Sequence, residues 1–304
     1  MKIGVVMMLV ENRILNRAPT WSEIRDMALQ SEDLGFDSIW VYDHLLYRDE
    51  KGTTTGIWES WSILTALAAV TRRVELGTLV ACNSFRNPAL MAKMAHTVDE
   101  ICSGRLILGL GAGWNKPEYD AFGFPFDHRV DRLEEALQII RPLLKEGRVD
   151  FQGKYYTARD CEITPRSPRA EGPPLMIGCG KARMLRLTAR YADMWNVGYM
   201  SIPKSTETEF KAFRKACKEE GRDLSSIDAS FMISLGYGDL ADWKSDKKRG
   251  YLSGSEAEIA ATLFEYEKLG VTHLMFHLTP STPEAYQRLA RAVDLYRRES
   301  VLRI

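Results

Sequence analysis

The sequence has no excess charge of either sign. Across 304 residues, 41 lysines and arginines balance 41 aspartates and glutamates, and the pI is near 7. A chain without a net field does little to attract a polyanion or an anionic membrane, so neither nucleic acid nor a membrane surface is an expected partner. The basic cluster Lys247, Lys248 and Arg249 lacks interleaved aromatics and reads as a solvated loop. Cysteine is scarce and unpatterned. Its five copies, at positions 82, 102, 161, 179 and 217, are odd in number and lack C-x-x-C spacing. That argues against a disulfide framework or a thiolate zinc site and fits a reducing cytoplasm. No apolar run reaches the ~20 residues of a membrane helix, and the opening "MKIGVVMMLVENR" lacks a small-residue cleavage site. A soluble, cytoplasmic protein is the expectation. Phosphate-loop spacing and a serine nucleophile elbow are also missing.

What the sequence does have is an alternation. Short β-type runs ("IGVVMML", "FDSIWVYD", "VELGTLV", "RLILGLG", "PLMIG", "DMWNVGY", "IDASFMISLGY" and "VTHLMFHL") are each followed by an amphipathic stretch. Helix starts are marked by capping-box pairs at Thr20/Glu23 and Ser255/Glu258, and by Asn87 before Pro88. Two stretches break the rhythm. Residues 147–173, after the fourth helix, read as an inserted hairpin and loop, and residues 238–254 form a second insertion after strand seven. Eight β–α pairs in this length predict an α/β fold, a closed (β/α)8 TIM barrel spanning residues 1–304 as one domain, over an open doubly wound sheet.

The stretch "LGLGAGWNKPEYDAFG" invites a different conclusion. A dinucleotide turn needs G-x-G-x-x-G opening a helix, but the glycines here stand at 109, 111 and 113, and Trp114 follows. Pro117 is expected to interrupt any helix beginning there. A Rossmann turn is excluded. Two uses of the glycines stay open: close packing between barrel layers, or approach of backbone to a flat ligand.

In a (β/α)8 barrel the chemistry lies at the C-terminal strand ends. Those positions hold Met7 and Met8, Asp43 and His44, Cys82 and Asn83, Ala112 to Asn115, Gly178 to Lys181, Asn196, Leu235, Gly236 and His277. The set is apolar and amide-rich, too poor in carboxylates for a metal site. Asp43 and His44 are the reactive pair, since a histidine can give or take a proton near neutrality; the alternative is a structural pair closing the loop. His96 and His128 read as packing or capping residues, and His273, starting strand eight, as part of the barrel's stable bottom. "IGCGKARML" places Gly178 and Gly180 just before a helix, with Lys181 adding charge. It reads as a phosphate-binding turn or as a plain glycine-rich β–α turn.

"GFDSIWVYDHL", "RRVELGTLVACNSFRNPALMAKMAHTVDEICSGRLILGLGAGWNKPEYDAFG" and "LRLTARYADMWN" together resemble the luciferase-like monooxygenase superfamily, over nearly the whole chain and in the same motif order. The similarity is strongest to its branch that uses the deazaflavin coenzyme F420. The resemblance implies a (β/α)8 barrel, commonly a homodimer, binding F420 or alternatively FMN at the barrel top. It implies that His44 transfers a proton with Asp43 orienting it or bonding the ring edge, and that the Leu79–Val80 bond is cis and backs the ring. Cys82 and Asn83 would lie beside the ring's polar edge, and Ala112, Gly113, Trp114 and Asn115 against the cofactor. Gly178, Cys179, Gly180 and Lys181 would hold its phosphate. Trp114 stands where the family's sugar-phosphate dehydrogenases carry a carboxylate, which argues against their substrate. The implied activity is hydride transfer between F420 and a small organic substrate, with Trp114 and Tyr47 walling an aromatic pocket. An FMN-dependent monooxygenase and a non-catalytic flavin-binding barrel are the alternatives, and the presence of Asp43 and His44 disfavours the latter.

Overall fold

The computed structural model describes residues 1–12, 16–198, 203–240 and 251–302. Its centre is a closed parallel barrel of eight strands. They are β1 (Lys2–Val6), β2 (Ser38–Val41), β3 (Glu75–Thr78), β4 (Leu106–Gly111), β5 (Leu175–Gly178), β6 (Met194–Val197), β7 (Asp228–Gly236) and β8 (His273–Thr279). Each pairs with its sequence neighbour, and closure comes from β1 against β8, with Lys2 opposite His273. The eight apolar runs of the sequence are these strands, and a ninth short piece, Ala81–Cys82, lies beside the end of β4.

Helices cover the barrel: α1 (Trp21–Asp33), α2 (Ser60–Val70), α3 (Pro88–Ile101), α4 (Arg129–Lys145), α5 (Ala182–Tyr191), α6 (Pro203–Glu219), α7 (Glu256–Lys268) and α8 (Pro283–Leu302). Both capping boxes form as expected, at Thr20/Glu23 and Ser255/Glu258, and Asn87 caps α3. Alternation along the strands sorts side chains into two layers. Leu106, Leu108 and Leu110 of β4 join the core beneath the helices, while Ile107 points into the barrel with Val6, Trp40, Met176, Met194, Met232 and Met275.

The first insertion is a hairpin, Arg148–Gln152 against Thr157–Glu162. Most of the second, at 241–250, lies outside the described residues, as do Tyr199 at the end of the expected sixth strand and the Lys247–Arg249 cluster. One local expectation is corrected. Pro117 does not prevent a helix after β4: Lys116–Phe122 is helical, because proline in the first turn forfeits no intrahelical hydrogen bond. A small hairpin after β2, Leu46–Arg48 with Thr54–Gly56, carries no alternation that could have announced it.

The barrel bottom is sealed by a histidine, as its position at the start of β8 implied. His273 is buried with its ring edge on Trp40. Ser38 Oγ accepts from Trp40 Nε1 at 2.7 Å and lies 2.7 Å from His273 Nε2. Burial pushes the His273 pKa down to about 3. The unfolded chain therefore takes up a proton near its ordinary pKa that the native ring refuses. The neutral ring's contribution is complete above about pH 6.5 and is lost on acidification at about 1.4 kcal/mol per pH unit. Urea denaturation at about pH 7.5 and 5 should differ by about 2 kcal/mol from this residue, and His273→Gln should show a shallower pH slope. An equal slope in that variant would show that His273 is not responsible.

Candidate active site

At the mouth of the barrel, Asp43 follows the end of β2 and is buried. Its carboxylate accepts from Ser60 Oγ and from the Cys82 backbone N–H, each at 2.7 Å, and from Arg86 Nη1 at 2.7 Å and Nη2 at 3.1 Å. Arg86 also donates to Glu59 at 2.6 Å, and Glu59 caps α2 through the Trp61 and Ser62 N–H groups. Asp43 thus ties the end of β2 to α2 and to the segment after β3. That segment contains the Leu79–Val80 bond, which is cis as the resemblance implied.

His44 has a different partner. Its Nδ1 lies 3.0 and 3.2 Å from the two carboxylate oxygens of Glu118, and the Leu45 N–H donates to Glu118 Oε2 at 3.0 Å. The side chain of Glu118 is 2% exposed and that of His44 13%. The imidazole sits between two aromatic rings, Tyr47 at 4.6 Å and Trp114, edge-on, at 5.5 Å. Trp114 is 65% exposed, and Asn115 next to it donates to the Leu46 carbonyl at 2.9 Å. A carboxylate only accepts, so Nδ1 carries the proton toward Glu118, and Nε2 is the nitrogen left for other chemistry.

Sequence reasoning missed Glu118 because it paired neighbours in the chain. Glu118 stands on the Lys116–Phe122 helix, which Pro117 had been expected to forbid. Arg86 was missed as well; the unexplained arginine in "NSFRNP" was its only signal.

Cys82 and Asn83 follow the cis bond. Cys82 Sγ meets Tyr119 Oη at 2.9 Å, Tyr119 Oη donates to the Ala112 carbonyl at 3.1 Å, and Asn83 Nδ2 donates to Tyr156 Oη of the inserted hairpin at 3.3 Å. The glycines of "LGLGAG" have a reason inside the protein. A Cβ on Gly109 would strike the Thr78 carbonyl, one on Gly111 the Val80 side chain, and one on Gly113, whose φ is +79°, the Tyr119 hydroxyl. Packing between layers, the first of the two uses left open, accounts for all three.

Burial pushes the Cys82 thiol up to about 12, with the Asp43 and Glu118 charges acting the same way. Cys179 is also pushed up to about 12 by burial, its sulfur 3.1 Å from Thr188 Oγ1. Cys102 and Cys217 are buried, whereas Cys161 is half-buried on the inserted hairpin. An alkylating reagent at neutral pH should therefore label Cys161 first and the half-buried Cys179, whose thiol is pushed up, more slowly, with the other three reacting only on unfolding. Rapid native labelling at Cys82 by peptide mapping would contradict this.

On the opposite rim, Gly178 ends β5, and the Cys179 N–H donates to the Asn196 carbonyl at 2.9 Å. Lys181 is the exposed N-cap of α5, with no side-chain cap and no acidic residue in the first turn. A Cβ on Gly180 would find only the Glu209 carboxylate, 3.8 Å away. The first amides of α5 thus have no side-chain cap, which favours an anion there, while the Glu209 carboxylate beside Gly180 opposes one. Asn196 donates to Ser230 Oγ at 3.1 Å, and His277 Nε2 lies 3.1 Å from Met8 Sδ. His96 and His128 have partners of their own. His96 is held by Ser167 and the Leu143 carbonyl, and His128 precedes α4 and bonds Asp131.

Comparison with known proteins agrees with this architecture. The family model described as luciferase-like monooxygenase matches residues 1–242. The chain is 29% identical over 303 residues to the F420-dependent glucose-6-phosphate dehydrogenase of Kineococcus radiotolerans, covering 84% of this chain and 86% of that protein. It is 32% identical over 260 residues to the pyrimidine monooxygenase RutA of Rhizobium rhizogenes, covering 81% of this chain and 68% of the relative. A solved F420-dependent secondary alcohol dehydrogenase, in complex with an F420–acetone adduct, shares the fold with a TM-score of 0.80 at 20% identity, over 97% of this chain and 98% of that one.

Proposed function

This chain belongs to the luciferase-like monooxygenase family, and within it we propose an oxidoreductase that moves a hydride between coenzyme F420 and a small organic substrate. The observation carrying this reading is His44. Its Nδ1 is engaged by Glu118 and its Nε2 is left for a proton, at the mouth of a barrel whose opposite rim carries an uncapped helix N-terminus.

The residues present suit a deazaflavin cofactor. Gly178, Cys179, Gly180 and Lys181, with the first amides of α5, would hold its phosphate. Leu79, Val80, Cys82, Asn83 and the Ala112–Asn115 segment would hold the ring. When bound, F420 supplies a carbon centre that accepts or delivers hydride. His44 takes a proton at Nε2 in the oxidative direction and returns it in the reductive one. Tyr47 and Trp114 pack against that nitrogen's ring. Asp43 holds the end of β2 against the segment after β3 rather than the imidazole. With Trp114 in place of a carboxylate, a sugar phosphate is not the proposed substrate. A homodimer is the proposed assembly, measurable by light scattering.

The relatives that are 32% identical and named pyrimidine monooxygenases favour a second reading, a monooxygenase using reduced FMN and dioxygen. Titration of the purified apoprotein separates the two. F420 should quench tryptophan fluorescence saturably, and FMN should not at the same concentrations. Saturable quenching by FMN alone would overturn the F420 reading.

A further inference from the structure

We propose that Glu118 is a positioning residue of the reaction, fixing the tautomer of His44 and balancing the charge that His44 acquires. The proposal rests on the reading of His44 as the proton partner and assigns the group on which that role depends.

The argument starts from the cost of the carboxylate. Glu118 is almost fully buried, and removing an ionised carboxylate from water is expensive unless charge and hydrogen bonds compensate it. Among the described residues, its hydrogen bonds come from the Leu45 N–H and His44 Nδ1, with no lysine or arginine among the donors. The neighbouring cations are committed elsewhere: Arg86 to Asp43 and Glu59, and Lys116 to Asp120. The one cation in direct contact with Glu118 is therefore the His44 imidazolium, when that ring is protonated.

A backbone N–H alone could be satisfied by a neutral acceptor. A buried acid placed 3.0 Å from Nδ1 does more, because it dictates which nitrogen stays bare. In water the neutral ring favours the proton on Nε2, the tautomer that cannot accept. In the oxidative direction the substrate O–H bond breaks and its proton bonds to Nε2. A bound deazaflavin would accept the electron pair of the carbinol C–H bond as hydride, leaving a carbonyl. The imidazolium produced then lies against a carboxylate held by a second hydrogen bond from Leu45. The reverse sequence serves carbonyl reduction.

The decisive readout needs no cofactor. Ring-15N-histidine NMR of the full chain, with the His44 signals assigned through His44→Gln, should show Nδ1 protonated and Nε2 bare at a pH where the ring is neutral. In Glu118→Ala the Nε2-protonated form should appear. In loaded enzyme, Glu118→Gln keeps an acceptor for Leu45 and should fold like wild type. It should lower kcat by at least about 10-fold with KM little changed, and Glu118→Asp should recover part of the loss. A wild-type His44 protonated at Nε2, or a Glu118→Ala ring spectrum identical to wild type, would overturn the proposal. The expected tautomer in a protein that never turns over F420 would leave the role of Glu118 standing and remove the cofactor reading alone.

Discussion

His44→Ala should lower kcat/KM for F420-dependent turnover by about 10²- to 10⁴-fold, the range a positioned proton donor or acceptor contributes. F420 binding, followed by tryptophan quenching, should stay within about twofold of wild type, because the imidazole is proposed to act on the substrate's proton rather than to hold the cofactor. The loss should fall mainly on kcat. In the structure the ring touches Tyr47, Trp114 and Glu118, so truncation removes one acid–base group and leaves the turn before α5, the proposed phosphate site, intact. A His44→Ala enzyme that turns over as fast as wild type would remove the residue from the mechanism.

The second large effect is on stability. Asp43→Ala leaves the Arg86 guanidinium facing Glu59 alone and strips acceptors from Ser60 and the Cys82 N–H. Breaking a buried pair from one side costs about 3–5 kcal/mol when the remaining charge is left alone; here Glu59 still faces Arg86, and the loss is made up by the two buried donors left without an acceptor, each costing about 1–3 kcal/mol. Urea denaturation should show a loss of that size. His44→Ala also costs stability, because it leaves the buried Glu118 carboxylate with the Leu45 N–H alone, but it breaks a single contact where Asp43→Ala breaks four and should be less destabilised. The contrast distinguishes two adjacent residues that the sequence presented as one pair. If Asp43→Ala were as stable as wild type but inactive, Asp43 would be acting in the chemistry instead of holding the mouth together.

How much of this was legible in the sequence follows from which signals are local. The eight strands and the two capping boxes depend on runs of a few residues and could be read directly, and the hairpin at 148–162 showed as a break in the rhythm. The turn ahead of α5 was legible as glycines before a helix, and the cis Leu79–Val80 bond through the resemblance. The partners of Asp43 and His44 were not legible. Arg86 lies 43 residues from Asp43 and Glu118 lies 74 from His44, so only the side-by-side pairing of β2, β3 and β4 brings them together. The glycines of "LGLGAG" drew attention for a similar reason. Their neighbours, the Thr78 carbonyl, Val80 and Tyr119, come from the adjacent strand, the segment after it and the following helix, so the sequence could not choose between packing and a ligand.

The central claim is hydride transfer to or from F420 with His44 as the proton partner. Its most direct test is anaerobic bleaching of oxidised F420 against a panel of neutral alcohols, run in parallel with wild type and His44→Ala. Bleaching by wild type with at least one alcohol, lost in His44→Ala while F420 still binds, is the expected result. Absence of bleaching across the panel, together with oxygen-dependent turnover by the same protein supplied with reduced FMN, would contradict it.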